Sequence, residues 1–406
     1  MILSKIGPTV VVRIVGVMLG FVSQIYVAKA LGVDSFWLYP ILIVGAYIGV
    51  KILNLGQSLI VFSKLIIGTN YAPHDLLYFL IKTTKKRIVV AVACACAAFV
   101  LGYENQSFIV FILLIVVSVL NLLKQHRSEI MKGHGNVTLA LIPEQFVRPI
   151  AVILLATSEV DFILLGDFSA LLIFLFGSMS SYAYSVLNFS YFGKRWRAEN
   201  IKCKNVLSSP LLDDDGKSKP YAKEIFVTLH DLFLSVDVIF VAIFFGDVIA
   251  SQYALVSRVG NAIFTVYDVS STHIVRAYYA ESHKGIIGVW LKLNGVVLLV
   301  FMVFVPPYLN YIISYIGDDF VADYSMYFLV LLPRVIISLM SYMKYIVLAA
   351  HKEKDAGYVY VSAFAMFLIL APLLISVGYE YVSIAYLICT IFVIAKLYAL
   401  VRPNNF

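Results

Sequence analysis

Charge is scarce in this sequence. Only 14% of its 406 residues are Asp, Glu, Lys or Arg, against 61% apolar. A soluble chain of that length has too little polar surface to cover so much apolar material. Cysteine is nearly absent. Cys94 and Cys96 share one apolar run, Cys203 lies in a polar segment and Cys389 in the last apolar run, which is neither a disulfide framework nor a zinc-ligand spacing. No glycine-rich phosphate loop is present, which argues against direct drive by ATP. Asp213-Asp214-Asp215-Gly216 lacks the remainder of a calcium loop. What is present instead is a succession of apolar runs of about 20 residues, the length that crosses a bilayer as a helix. The chain therefore reads as a polytopic, all-α membrane protein. The first run is not a cleaved signal peptide, despite Ala28-Lys29-Ala30. It is too long, contains Arg13, and is followed by eleven more spans.

The hydropathy pattern places twelve helices near 7–31, 36–63, 87–103, 107–125, 137–157, 162–190, 224–246, 250–276, 285–305, 324–348, 357–377 and 381–400. Loops and helix ends then sort by charge. One alternate set carries Lys5, Lys82, Lys85, Lys86, Arg127, Lys132, Lys352 and Arg402 among others. The other set carries Asp34, Glu104, Glu159, Asp247, Asp318 and Glu380 with no Lys or Arg. The positive-inside rule puts both termini and the basic set in the cytoplasm. Trp37, Trp196 and Trp290 all fall at predicted interfaces, where indole rings prefer to sit.

The longest polar segment, 193–223, divides the chain into an N-terminal lobe (1–192), a cytoplasmic linker and a C-terminal lobe (224–406). Its first part, KRWRAEN, reads as a surface segment; SSPLLDDDGKSKP reads as turn-rich. The halves are distantly alike. VAKALGVDSFWLYPILIV can be laid on VAIFFGDVIASQYALVSRV, pairing Gly32 with Gly246 and Tyr39 with Tyr253. KGHGN (132–136) sits where AHKEKDA (350–356) sits in the second half. Two lobes related in this way place a substrate between them.

Seven cations remain inside the predicted helices: Arg13, Lys29, Lys51, Arg148, Arg258, Lys292 and Arg334. Five acids accompany them: Glu144, Asp167, Asp231, Asp237 and Asp268. A charge at the bilayer centre costs about 2.5–3.5 kcal/mol on insertion scales, so each needs a reason. Glu144 and Arg148, four apart, share a helical face and neutralise each other. Lys292 and Asp167 lie near helix ends. Lys29 either lines a cavity or snorkels to the interface. Ser251, Arg258, Asn261, Thr265, Asp268 and Thr272 form one polar stripe. It is either a packing seam or the wall of a water-filled cavity, and its two full charges favour the cavity. By this count the first lobe holds two surplus positive charges and the second none. That difference points to anion binding in the first lobe and ion coupling in the second.

RIVGVMLGFVSQIYVAKALGVDSFWLYPILIV resembles the opening of the Wzx-type polysaccharide-exporting flippases of the MOP superfamily, in Lys29, Leu31, Gly32, Phe36, Leu38 and Tyr39. DVIFVAIFFGDVIASQYALVSRV is similar to the family's second half in Asp237, Gly246 and Tyr253. Trp37 stands in place of the usual glycine, and STHIVRAYYAE lacks a proline common near the end of the eighth helix. The resemblance implies a V-shaped pair of six-helix lobes around a central cavity, as in MATE-like transporters, working by alternating access in the bacterial inner membrane. It implies a polyprenyl-pyrophosphate-linked oligosaccharide as cargo, contact with membrane lipids, a proton or sodium as coupling ion, and neighbouring polysaccharide polymerase machinery. It implies neither a cofactor nor nucleic acid. On that reading Arg13, Lys51 and Arg258, with Lys29 and Asn261, receive the diphosphate through charge-assisted bonds, and Asp237 and Asp268 carry the ion.

Three rivals were weighed. A multidrug exporter of the same superfamily needs a more acidic cavity. A major facilitator transporter usually carries a Gly…Asp-Arg-x-Gly-Arg loop, and KLIIGTNYAPHDLLYFLIKTTKKR has none. An O-antigen polymerase or ligase needs catalytic groups on a long outer loop, where 306–323 offers only Asp318, Asp319 and Asp323. The charge pattern makes a direct prediction. Reporter fusions after Gly102, Glu159, Asp247, Asp319 and Tyr379 score outside the cytoplasm, and those after Lys85, Lys132, Lys217 and Lys352 score inside. Two adjacent loops on the same side would overturn the helix count.

Overall fold

A backbone in hydrocarbon has no water to bond, so each spanning segment must satisfy its own N–H and C=O groups. The computed structural model describes residues 2–54, 72–102, 106–158, 160, 167–199, 220–260, 324–338, 352–378 and 381–401, with 295, 303, 343, 347 and most of 307–320. Among these residues all regular structure is helical. In chain order the helices are α1 (Ile2–Phe36), α2 (Leu38–Asn54), α3 (Pro73–Gly102), α4 (Gln106–Gly133), α5 (Val137–Ala156), α6 (Asp167–Glu199), α7 (Pro220–Phe233) and α8 (Val236–Phe244). Then follow α9 (residues 247–260), α10 (Tyr324–Ser338), α11 (Glu353–Ile375) and α12 (Val382–Val401). Six helices among the described residues are long and apolar enough to cross a membrane, and α7 with α8, bent by 53°, is a broken span or a re-entrant loop. Most of the predicted span at 285–305, residues 55–63 of the one at 36–63, and 261–276 lie outside the described residues. So does most of the linker, Asp213–Gly216 included.

The chain forms two compact units. The first comprises Met1–Ser23 and Leu42–Glu224, the second Gln24–Ile41 and Ile225–Phe406. The border near 224 coincides with the end of the linker. Gln24–Ile41, counted with the N-terminal lobe in the sequence, instead packs with the second unit.

In the first unit, α4 packs on α3 and α6, and α6 lies along the second half of α5. Glycines set how closely α2 meets α4. A Cβ at Gly49 would strike Ser118, and one at Gly45 would lie 3.2 Å from Leu114 Cδ2. Three helices here are longer than hydropathy predicts. Lys82, Lys85 and Lys86 sit on α3, Arg127 and Lys132 on α4, and Lys194-Arg195-Trp196 on α6 rather than on a separate surface segment. Polar composition imitates a loop, but the inward face of each extension is apolar. Leu76 and Leu80 of α3, Ile130 and Met131 of α4, and Phe189 and Phe192 of α6 form one buried cluster. Packing of that face, not lipid, stabilises the extra turns.

In the second unit, α12 packs on α10, α11 and α8. Phe233 lies at the centre of an aromatic cluster, with ring centroids 5.7 Å from Tyr360, 5.6 Å from Phe364 and 5.2 Å from Tyr386.

The internal repeat has a geometric counterpart. Gly32 and Gly246 both take a left-handed φ, 71° and 79°, a conformation that favours glycine. Their paired tyrosines, Tyr39 and Tyr253, are both buried. At the other matched pair, the N–H of Asn136 bonds the carbonyl of Met131 at 2.9 Å and that of Lys352 bonds Val347 at 3.1 Å. Both bonds span five residues, so the two corners turn alike.

Candidate functional site

Among the described residues, each unit holds a charged cluster at a break in its helices. In the second unit it forms where the helical ladder breaks. Chain direction changes between α7 and α8, and the carbonyl of Leu234, left without a helical partner, accepts a bond from Arg334 Nη1 of α10. The other guanidinium nitrogen, Nη2, donates to Asp237 Oδ1 in the first turn of α8. Arg334 and Asp237 are both essentially fully buried, at 0% and 1% side-chain exposure. Tyr253 of α9 donates its hydroxyl to Asp237 Oδ2 at 2.8 Å and meets Ser383 Oγ of α12 at 2.8 Å. Tyr386 lies with its ring 5.0 Å from the Arg334 guanidinium. A Cβ at Gly260 would press on the Arg334 side chain, so glycine there makes room for it. A buried ion pair survives its desolvation cost only with such extra hydrogen bonds. One layer away, His230 Nδ1 and Tyr360 Oη are 2.6 Å apart.

In the first unit the cluster forms where α5 departs from α-helical bonding. Pro149 has no N–H to return to Gln145, and Pro143–Val147 form a π-helical turn with the Arg148 N–H bonded to the Pro143 carbonyl. Ser181 of α6 also donates to that carbonyl, at 2.8 Å. Glu144, on the turn, accepts from Arg148 Nη1 at 2.7 Å and from Lys124 Nζ of α4. Arg148 stacks 5.4 Å from the Phe174 ring. Gly16 of α1 abuts the next residue, Gln145: a Cβ at Gly16 would collide with its side chain. The sequence alone gives the Glu144–Arg148 pair. It misses Lys124, which reads as a helix-end residue, although Asn121, Lys124 and Ser128 already shared a polar face.

Arg13 is half-buried, and its Nε is buried with no hydrogen-bond partner among the described residues. Lys51 is 8% exposed, with its ammonium 5.3 Å from the Tyr47 ring. Lys29 is exposed and lies over the Tyr315 ring at 4.9 Å in the second unit. That moves one positive charge out of the first-lobe sum, and Lys124 restores it. Arg258 donates to the Pro40 carbonyl at 3.2 Å, and Ser251 to that of Val33 at 2.5 Å. Over its described part, therefore, the α9 stripe bonds carbonyls of residues 24–41. Asn261 and Asp268, with Thr265, Thr272 and Lys292, lie outside the described residues. Asp237 is paired with Arg334 of α10. Ser383 and Tyr386 carry no signal in the apolar run that holds them.

No family model matches the sequence, and no curated protein matches it. Solved structures do match in fold. A mutant of the Vibrio cholerae MATE transporter VcmN superposes with a TM-score of 0.62 at 15% identity, over 99% of this chain and 97% of that one. The eukaryotic MATE transporter AtDTX14 gives 0.62 at 14% identity, over 98% and 94%. A MOP superfamily transporter from Pyrococcus furiosus, described as having a binding pocket of reversed polarity that suggests a different function, gives 0.55 at 12% identity, over 97% and 94%. The fold is therefore that of the MATE transporters, an all-α polytopic membrane fold.

The Arg334–Asp237 geometry generates a prediction. Arg334→Gln leaves a buried carboxylate uncompensated, which costs about 3–5 kcal/mol and lowers accumulation in the membrane and thermal stability in detergent. Arg334→Gln with Asp237→Asn recovers most of that loss. A double variant no better than the single one would show that the pair is not the unit of stability.

Proposed function

We propose that this protein is an ion-coupled secondary transporter that moves an anionic, lipid-linked oligosaccharide across the bacterial inner membrane by alternating access. The observation that carries the reading is the cationic interior of the first unit. Arg13 keeps a buried Nε with no hydrogen-bond partner among the described residues, Lys51 is buried, and the carboxylate of Glu144 is shared by two cations. A pyrophosphate cannot enter hydrocarbon alone, and guanidinium and ammonium groups in a poorly hydrated interior supply the charge-assisted bonds it needs. The fold is compatible with this cargo, and so is the resemblance of the first and second stretches to flippases.

The second reading is export of an organic cation, as the multidrug MATE transporters with the same fold suggest. It requires a carboxylate ready to receive the cation. Asp237 and Glu144 are both already held by cations, which favours the anionic cargo. The reversed pocket polarity ascribed to the Pyrococcus furiosus protein is a precedent for such a change of charge on this fold. For coupling, Asp237 is the candidate: exchange of a proton or sodium there competes directly with Arg334.

Two measurements follow. In a strain dependent on this gene for surface polysaccharide, Arg13→Ala loses a charged hydrogen bond worth about 1.5–3 kcal/mol, a loss of roughly ten- to hundredfold in apparent affinity, at parental protein levels. Arg13→Lys keeps the charge without the planar fork and rescues in part. Full complementation by Arg13→Ala and Lys51→Ala would sink the anion reading, and organic-cation efflux by the parent would replace it. In proteoliposomes, Asp237→Asn slows turnover and alters its pH or sodium dependence. A variant with parental dependence removes Asp237 from coupling.

A further inference from the structure

Glu144 is the odd member of its triad. Its side chain is 40% exposed, while Lys124 and Arg148 on either side are 12% and 14% exposed. Glu144 is thus the member of the triad most open to the space beside it. An ionised carboxylate in a membrane span is not left facing lipid, so that space is polar. Lys124 lies nine residues before the end of α4 at Gly133, roughly 13 Å along the helix axis from the end whose loops carry the lysines and arginines.

The rest of the setting fixes those cations and not the carboxylate. Arg148 is stacked on Phe174, and Gly177 of α6 leaves room for Val152, one turn further along α5. The π-helical turn, held by the Ser181 bond to the Pro143 carbonyl, is what swings Glu144 across to α4. Such turns are local departures that recur at functional sites. Gly16 abuts Gln145, and Arg13, three residues before Gly16, lies on the same face of α1. A fork, a point charge and a second arginine one turn away form a donor set for a phosphate group.

We propose that Lys124 and Arg148 form an anion site in the first unit, that Glu144 is its resident occupant, and that the phosphate-bearing part of the cargo displaces Glu144 on entry. This rests on the reading of an anionic cargo and names where that cargo is first held. Glu144 offsets one of the two positive charges when no cargo is present, and its displacement is the event by which α4 and α5 register a bound anion.

The test is titration of the purified full-length protein in detergent with inorganic pyrophosphate, read by calorimetry, with membrane abundance measured alongside. Glu144→Gln removes the competing charge and keeps the shape, so affinity for pyrophosphate rises by about tenfold, and Lys124→Gln or Arg148→Gln lowers it by a similar factor. Should Glu144→Gln fail to accumulate, Lys124→Gln with Glu144→Gln retains charge balance around Arg148. That variant must still bind more tightly than Lys124→Gln alone. Unchanged or weaker binding in Glu144→Gln at parental abundance, or no gain in the double variant, makes the triad a fixed structural tie and overturns the proposal. Binding abolished by Arg13→Ala but indifferent to all three triad residues overturns it too, and leaves the anionic cargo standing. Loss of the cargo reading itself is seen separately, as full polysaccharide complementation without Arg13 and Lys51.

Discussion

An ionised side chain inside a bilayer persists only where an opposite charge, a backbone carbonyl or water replaces the hydration it lost. Much of the interior of this protein is arranged around that demand. Arg334 is fully buried, and the groups around it belong to four other helices: the Leu234 carbonyl ending α7, Asp237 on α8, the Tyr253 hydroxyl on α9 that holds the same carboxylate, and the Tyr386 ring on α12. Ser383 completes the network through Tyr253. None of these contacts alone offsets the desolvation of a guanidinium. Together they do, which is why α10 and α12 lie where they do against the α7–α8 break.

The same demand explains why irregular backbone and charge occur together. The π-helical turn of α5 brings Glu144 to Lys124, and the bend between α7 and α8 frees the carbonyl that Arg334 takes. The left-handed glycines at 32 and 246 turn the chain at equivalent points of the two halves, and the donors of Ser251 and Arg258 bond carbonyls beyond the first of these turns. Breaks in a membrane helix are tolerated where side chains satisfy the freed groups, and here the satisfying side chains are polar or cationic.

The two clusters differ in balance, and the functional proposal follows from that difference. In the second unit one cation meets one acid, with hydroxyls closing the network. In the first unit two cations share one acid that is itself the more open member. A surplus of positive charge in a poorly hydrated interior is a standing affinity for anions.

The all-helical membrane class, the candidate charged positions, the Glu144–Arg148 pair and the repeat that aligns Gly32 with Gly246 were legible from residue order. Each depends on local composition or on spacing along one helix, and periodicity reports those directly. Helix ends were less legible: Lys82, Lys85 and Lys86 look like a loop because polarity is averaged along the chain, whereas the apolar face of α3 is seen only against Phe189 and Phe192. The partner of Asp237 lies 97 residues away in sequence, and that of Glu144 on α4 lies 20 away. Nothing local distinguishes Arg334 from the other intramembrane cations, or Lys124 from a lysine at a helix end. Which charge meets which is decided by how helices pack side by side, and only the tertiary structure contains that.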